Sequence, residues 1–292
     1  MDQFLIYRIA IIVILAFIYM AFDVFNKRNV PTIFAYASLV IGVIMTALYY
    51  PDLQSISLSA VVVVIVSSLG YVFYRIGQLG AADVIEFAAI SMILPVQPAP
   101  YLLSYLQFNM PFIVSIFIAT GVTALLMIPF YYLPRASLML KKKMFGMVRS
   151  KDLYRGLLML VAYLAFTAFL IYFLQIGIIG IVLMLLITAS SLITTIFQAP
   201  ITDTMIENIP VSRFEEGDII ALNLMKKSEI KRMKEKIKGF DHLVTLRIIK
   251  EMSNKKIKLK FPVYRKAMPL ALPIFIAVLI SILFGNLILI II

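Results

Sequence analysis

The stretch LLMLVAYLAFTAFLIYFLQIGIIGIVLMLLITASSLITTIF, Leu157–Phe197, decides the class of fold. A helix of roughly 20 apolar residues crosses a bilayer, so this run is too long for one crossing. Gln175, Gly177 and Gly180 near its middle offer a tight polar turn. The run therefore reads as two spans, Gly156–Leu174 and Ile176–Phe197, joined back to back. Outward from this pair lie further apolar runs: Phe4–Phe22, Thr32–Tyr49, Ser57–Tyr74, Val84–Leu94, Pro111–Leu133 and Met268–Ile291. Val84–Leu94 is short because Pro95, Pro98 and Pro100 break it, unless it continues toward Leu106. The expectation is an all-α polytopic membrane protein of about eight transmembrane helices.

Composition agrees. Of 292 residues 62% are hydrophobic and 14% charged, with mean hydropathy +1.00; a soluble domain carries about 25% charged residues. The chain has no cysteine, which removes disulfides, thiolate metal sites and a cysteine nucleophile. Its one histidine, His242, removes mechanisms that need a histidine pair or a two-histidine metal site. The zinc-protease motif His-Glu-x-x-His is absent.

Lys and Arg concentrate in cytoplasmic loops. With eight alternating spans and the N-terminus outside, one side receives Asp23–Pro31, Arg75–Ala82, Pro134–Arg155 and Ala199–Ala267, which hold every Lys and Arg except Arg8. That side is assigned as cytoplasmic, so both termini are expected outside a multi-pass cell-membrane protein. The start Met1-Asp2-Gln3 lacks a basic region, and no small-x-small cleavage site follows. The first run therefore reads as a retained span and not as a cleaved signal peptide.

Three parts follow: a bundle at 1–198, a small basic α+β cytoplasmic domain at 199–267, and a C-terminal span at 268–292. Within the domain, Phe214–Leu224 suits a turn and strand, Ser228–Lys238 a basic helix and Asp241–Met252 a second helix. Ile257, Leu259 and Phe261 alternate with lysines, the period of a strand. The Lys-rich surface suits anionic headgroups, and nucleic acid is not expected as a partner.

Two carboxylates stand out at the cytoplasmic ends of apolar segments. Asp23 lies where the first run stops, and Asp83 follows Gly80-Ala81-Ala82 where another begins. A carboxylate at the edge of hydrocarbon is costly and marks a candidate functional site. A pair sharing a proton is the machinery of aspartic proteolysis. Asp23 sits at the negative end of its helix, an unfavourable place for a carboxylate. Asp83 also suits an N-cap. Glu86, on the same helix face as Asp83, reads first as a partner for Arg75 or a polar rim residue, and second as a reader of a basic substrate residue. Gly80 leaves room for a substrate backbone beside Asp83, and Pro31 opens the second span in its first turn.

At these residues the sequence resembles the type IV prepilin peptidase family, in particular the archaeal preflagellin (archaellin) and prepilin peptidases. The first motif looks like Asp23-x-x-x-Lys27-Arg28-x-x-Pro31, and the second, Gly-x-Gly-Asp or Gly-Gly-Ala-Asp, looks like Gly80-Ala81-Ala82-Asp83. Ala81 and Ala82 depart from the glycines, Thr32 stands where Asn is frequent, and no Lys follows Asp83 at the usual near position. Phe261-Pro262-Val263, leading into a last span with Phe284-Gly285-Asn286, also looks like the archaeal members. The resemblance implies Asp23 and Asp83 as catalytic residues and Gly80 and Pro31 as motif support. It further implies precursors with a basic leader and a hydrophobic N-terminal helix as substrates, and no metal or organic cofactor.

Two other readings stay open. A presenilin- or signal-peptide-peptidase-like enzyme would place its aspartates on adjacent spans. Here two spans intervene, and the nearest Pro-Ala-Leu match is Pro269-Leu270-Ala271-Leu272. An ion or proton transporter would hold carboxylates on interrupted helices near the midplane, often within inverted repeats.

Overall fold

The computed structural model describes residues 3–26, 29–49, 53–102, 110–141, 143–237, 239–255, 257 and 259–287. The basic pair Lys27-Arg28 of the first motif lies outside these residues. The chain runs through α1 (Gln3–Phe25), α2 (Thr32–Tyr49), α3 (Leu53–Ile76), α4 (Ala81–Ile93), α5 (Phe112–Leu140), α6 (Lys143–Gly146), α7 (Ser150–Leu174), α8 (Ile178–Ile196) and α9 (Gln198–Met205). After these come β1 (Ile206–Pro210), α10 (Lys227–Lys236), α11 (Leu246–Asn254), β2 (Lys260–Tyr264) and α12 (Ala271–Leu283).

Among the described residues six helices, α1, α2, α3, α5, α7 and α8, are long and apolar enough to cross a membrane. The protein is thus a helical polytopic membrane protein with a small sheet. The split of Leu157–Phe197 falls at Gln175, which caps α7 in the left-handed conformation at φ 49°. α4 and α12 have 13 residues each, about 20 Å of helix against roughly 30 Å of hydrocarbon.

α4 ends at Leu94 and does not continue toward Leu106. Pro95 cannot propagate it. The chain beyond stays buried at Leu94, Pro95, Gln97, Pro98 and Pro100. Its backbone is satisfied by protein: Gln97 N–H donates to Met110 O (2.9 Å), Tyr101 N–H to Ile282 O (3.2 Å) and Leu102 N–H to Leu283 O (2.8 Å). Irregular backbone in a bundle is tolerated where protein covers it, and here it joins the two short helices at one end.

α4 is the centre of the core. Phe87, Ile90 and Ile93 pack among Ile12, Ala16, Met45, Val66, Ile116 and Ile274 from the surrounding helices. Small residues allow the close approach, as in other membrane bundles. A Cβ on Gly42 would lie 2.9 Å from Met92, and one on Gly70 would lie 2.6 Å from Val84.

The polar segment has its own core, built from Ile209, Phe214, Ile220, Met233, Ile237, Val244, Ile248, Phe261 and Val263. β1 pairs antiparallel with β2, Ile206 facing Tyr264; the sequence pattern had marked only the second strand. The basic helix forms as α10. The strand expected within Phe214–Leu224 does not: Gly217 turns at φ 92°, and Ile219 and Ile220 make only isolated bridges to Leu243 and Val263. The second helix starts at Leu246, not Asp241, because Thr245 is itself extended (φ −104°, ψ 160°) and its Oγ1 accepts the Ile248 N–H.

Candidate functional site

Asp23 occupies the last turn of α1, where its own helix offers no free N–H. Its Oδ2 instead accepts the backbone N–H of Ala271 at 3.0 Å, in the first turn of α12. The negative end of one helix is thereby offset by the positive end of another. The destabilisation expected for a carboxylate in that place is answered across the fold, which makes Asp23 a cap for α12 in addition to whatever chemistry it performs.

Asp83 is not the N-cap. Gly80 is, with extended backbone at φ −76°, ψ 154°, and Asp83 lies three residues on in the first turn. Its Oδ2 accepts the Gly80 N–H at 2.9 Å. A Cβ on Gly80 would come within 3.0 Å of that oxygen. The bare glycine gives room to the Asp83 carboxylate itself. Pro31 immediately precedes α2, and its carbonyl accepts the Ala35 N–H at 3.0 Å; it stands one residue before the first turn.

Glu86 departs furthest from expectation. It is neither a rim residue nor an Arg75 partner: it is 1% exposed, and neither carboxylate oxygen has a hydrogen-bond partner among the described residues. Asp83 and Asp23 both lie within electrostatic reach of it. Tyr19, also 1% exposed, shares an Oη–Oγ hydrogen bond of 2.9 Å with Ser38 and feels Glu86 and Asp83. α1 and α4 thus gather Tyr19, Asp23, Asp83 and Glu86 into one neighbourhood. Sequence reasoning missed Tyr19, although its place one turn before Asp23 puts it on the same helix face.

Among the described residues, no group of three or more His, Asp and Glu side chains could hold a metal ion. The arrangement can do acid–base chemistry: two carboxylates fixed by backbone N–H groups, with a third carboxyl buried within electrostatic reach of both.

The fold and these residues define a helical multi-pass membrane protein with an acidic cluster at the start of a short central helix. No family model, no curated protein and no solved structure matches the chain.

Proposed function

We propose that the protein is a membrane-embedded aspartic endopeptidase that removes short basic leaders from archaellin-like or type IV pilin-like precursors at the cytoplasmic face. The observation that carries this reading is the convergence of Asp23 and Asp83, from helices far apart in sequence, on the one neighbourhood around Glu86. In the reaction one aspartate takes a proton from a water molecule, whose oxygen attacks the scissile carbonyl carbon. The other aspartate donates a proton to the carbonyl oxygen. Collapse of the tetrahedral adduct breaks the C–N bond, and the amine leaves with a proton returned from the pair. In this arrangement α4 and α12, completed by the chain around them, make the fourth and eighth crossings. Both termini are then outside, and the basic domain faces the cytoplasmic headgroups.

The test is incubation of membranes carrying the protein with precursor peptides, the cut being located by mass spectrometry. Asp23→Asn and Asp83→Asn should each abolish it, and absence of any cut in the wild type overturns the reading. One observation favours a second reading, a carboxylate-based ion or proton transporter: Glu86 is buried without a hydrogen-bond partner among the described residues, on one of two short helices. Proton- or cation-dependent flux in liposomes, without peptide cleavage, would select it.

A further inference from the structure

β1 is an edge strand. The sheet has two strands, β1 and β2, and the far side of β2 is occupied: Tyr264 N–H donates to Ile219 O at 3.0 Å, and Ala221 N–H donates to Pro262 O at 2.8 Å. Successive residues of a strand direct their backbone groups to opposite sides. Pro262 and Tyr264 therefore face away from β1, while Phe261 and Val263 face it, opposite Ile209 and Glu207. On β1 the alternate residues Ile206, Asn208 and Pro210 direct their backbone outward. Among the described residues the Asn208 N–H and the carbonyls of Ile206, Asn208 and Pro210 have no backbone partner, and Asn208 is exposed. Pro210 has no N–H, which suits it to an outward position on an edge.

This edge begins near the acidic neighbourhood. β1 follows α9 directly, and beside its start Met205 O accepts the Lys266 N–H at 3.0 Å. Five residues after Lys266, the Ala271 N–H holds the Asp23 carboxylate at 3.0 Å. Those five residues span at most about 18 Å, which an extended peptide of similar length also covers. The same end of the strand carries carboxylates in a domain dominated by Lys and Arg: exposed Asp203 in the last turn of α9 and half-buried Glu207 in β1. A basic segment meets opposite charge there, and an extended one meets unpaired backbone. A helical segment has already bonded its own N–H and C=O groups and gains nothing from such an edge.

We propose that the outer edge of β1 is the docking strand for the short basic leader of the precursor, which adds to the sheet as a third strand and enters the acidic neighbourhood extended. The proposal rests on the proteolytic reading of Asp23 and Asp83, and it names the element that recognises the substrate. Backbone pairing selects an extended chain, and Asp203 with Glu207 selects a basic one.

Single N-methyl groups walked along the leader of a synthetic precursor peptide test the pairing, with the full chain in detergent and the residues flanking the cut left unmodified. Each N-methyl deletes one donor, and the donors of a paired strand face β1 at every second residue. KM should rise about fivefold at alternate leader positions, the factor carried by one hydrogen bond, and stay near that of the unmodified peptide at the positions between. Asn208→Pro removes an outward N–H without touching the β1–β2 ladder. It should raise KM about fivefold with kcat unchanged, whereas Asn208→Ala keeps the N–H and should match the wild type. Hydrogen exchange over Leu246–Asn254 reports whether the domain stays folded; if Asn208→Pro loosens it, the N-methyl walk alone decides. Cleavage whose penalties lack the two-residue period, or a wild-type KM in folded Asn208→Pro, overturns the docking strand and leaves the protease reading standing. Failure of the wild type to cut any precursor peptide removes both.

Discussion

Asp23→Asn separates a cap from a catalyst. The substitution removes the charge and keeps an oxygen that can accept the Ala271 N–H, now 3.0 Å away. A hydrogen bond to a charged group contributes about 1.5–3 kcal/mol and a neutral one about 0.5–1.5. The favourable placement of a charge at a helix N-terminus adds about 0.3–1 kcal/mol. The expected loss of stability is therefore about 1–2 kcal/mol, within the roughly 5–15 kcal/mol that keeps a domain folded. The folded population barely changes. If Asp23 also carries the reaction, turnover should fall by more than about a thousandfold, equivalent to about 4 kcal/mol on the barrier, which the lost cap does not supply. The measurement is paired: thermal unfolding in detergent, and initial cleavage rates of a precursor peptide with the same preparation. A variant that unfolds slightly earlier yet turns over within tenfold of the wild type would reduce Asp23 to a cap for α12 and end the dyad reading.

Asp23 and Asp83 working as one unit should be non-additive, so the double Asn variant should be no slower than either single one; multiplied losses in peptide cleavage would show independent roles. Glu86→Leu removes two buried oxygens that have no partner among the described residues and should leave thermal stability unchanged or raised, as apolar replacements of buried charged groups often do. A loss above about 3 kcal/mol in thermal unfolding would mean the carboxyl is engaged in the working protein. Because the chain has no cysteine, single cysteines report topology: Tyr101→Cys should react with an impermeant reagent from outside and Glu235→Cys should not, and the reverse would overturn the eight-crossing arrangement. The depressed Asp241 carboxyl contributes domain stability that is present above its ordinary value of 3.8 and lost as pH falls through the lower folded value. Acid titration of domain unfolding by circular dichroism should therefore show a small acid limb that disappears in Asp241→Asn; an unaltered limb refutes it.

Six of the expected spans, those that form α1, α2, α3, α5, α7 and α8, were legible because hydropathy is local. The turn at Gln175 could be placed from a glutamine and two glycines interrupting an apolar run, and α4 stops where Pro95 forbids an N–H. In the cytoplasmic domain, legibility failed where pairing decides the state. Ile219 and Ile220 have strand-forming side chains, but each finds a single bridging partner, so no regular strand forms. β1 was hidden because Ile206–Pro210 has no clear alternation of its own and becomes a strand only when β2 returns beside it.

The candidate site divides in the same way. The sequence alone determined that Asp23 and Asp83 stand at the ends of apolar helices, and that Glu86 shares a helix face with Asp83, because residue spacing along one helix sets which side chains are neighbours. Only the tertiary structure decided that Glu86 is buried. The same is true of Asp23 lying against the first turn of α12, 248 residues away, and of His242 closing on the Arg75 carbonyl, 167 residues away. A side chain's burial and its hydrogen-bond partner depend on which helices return to surround it. No window along the chain contains that information.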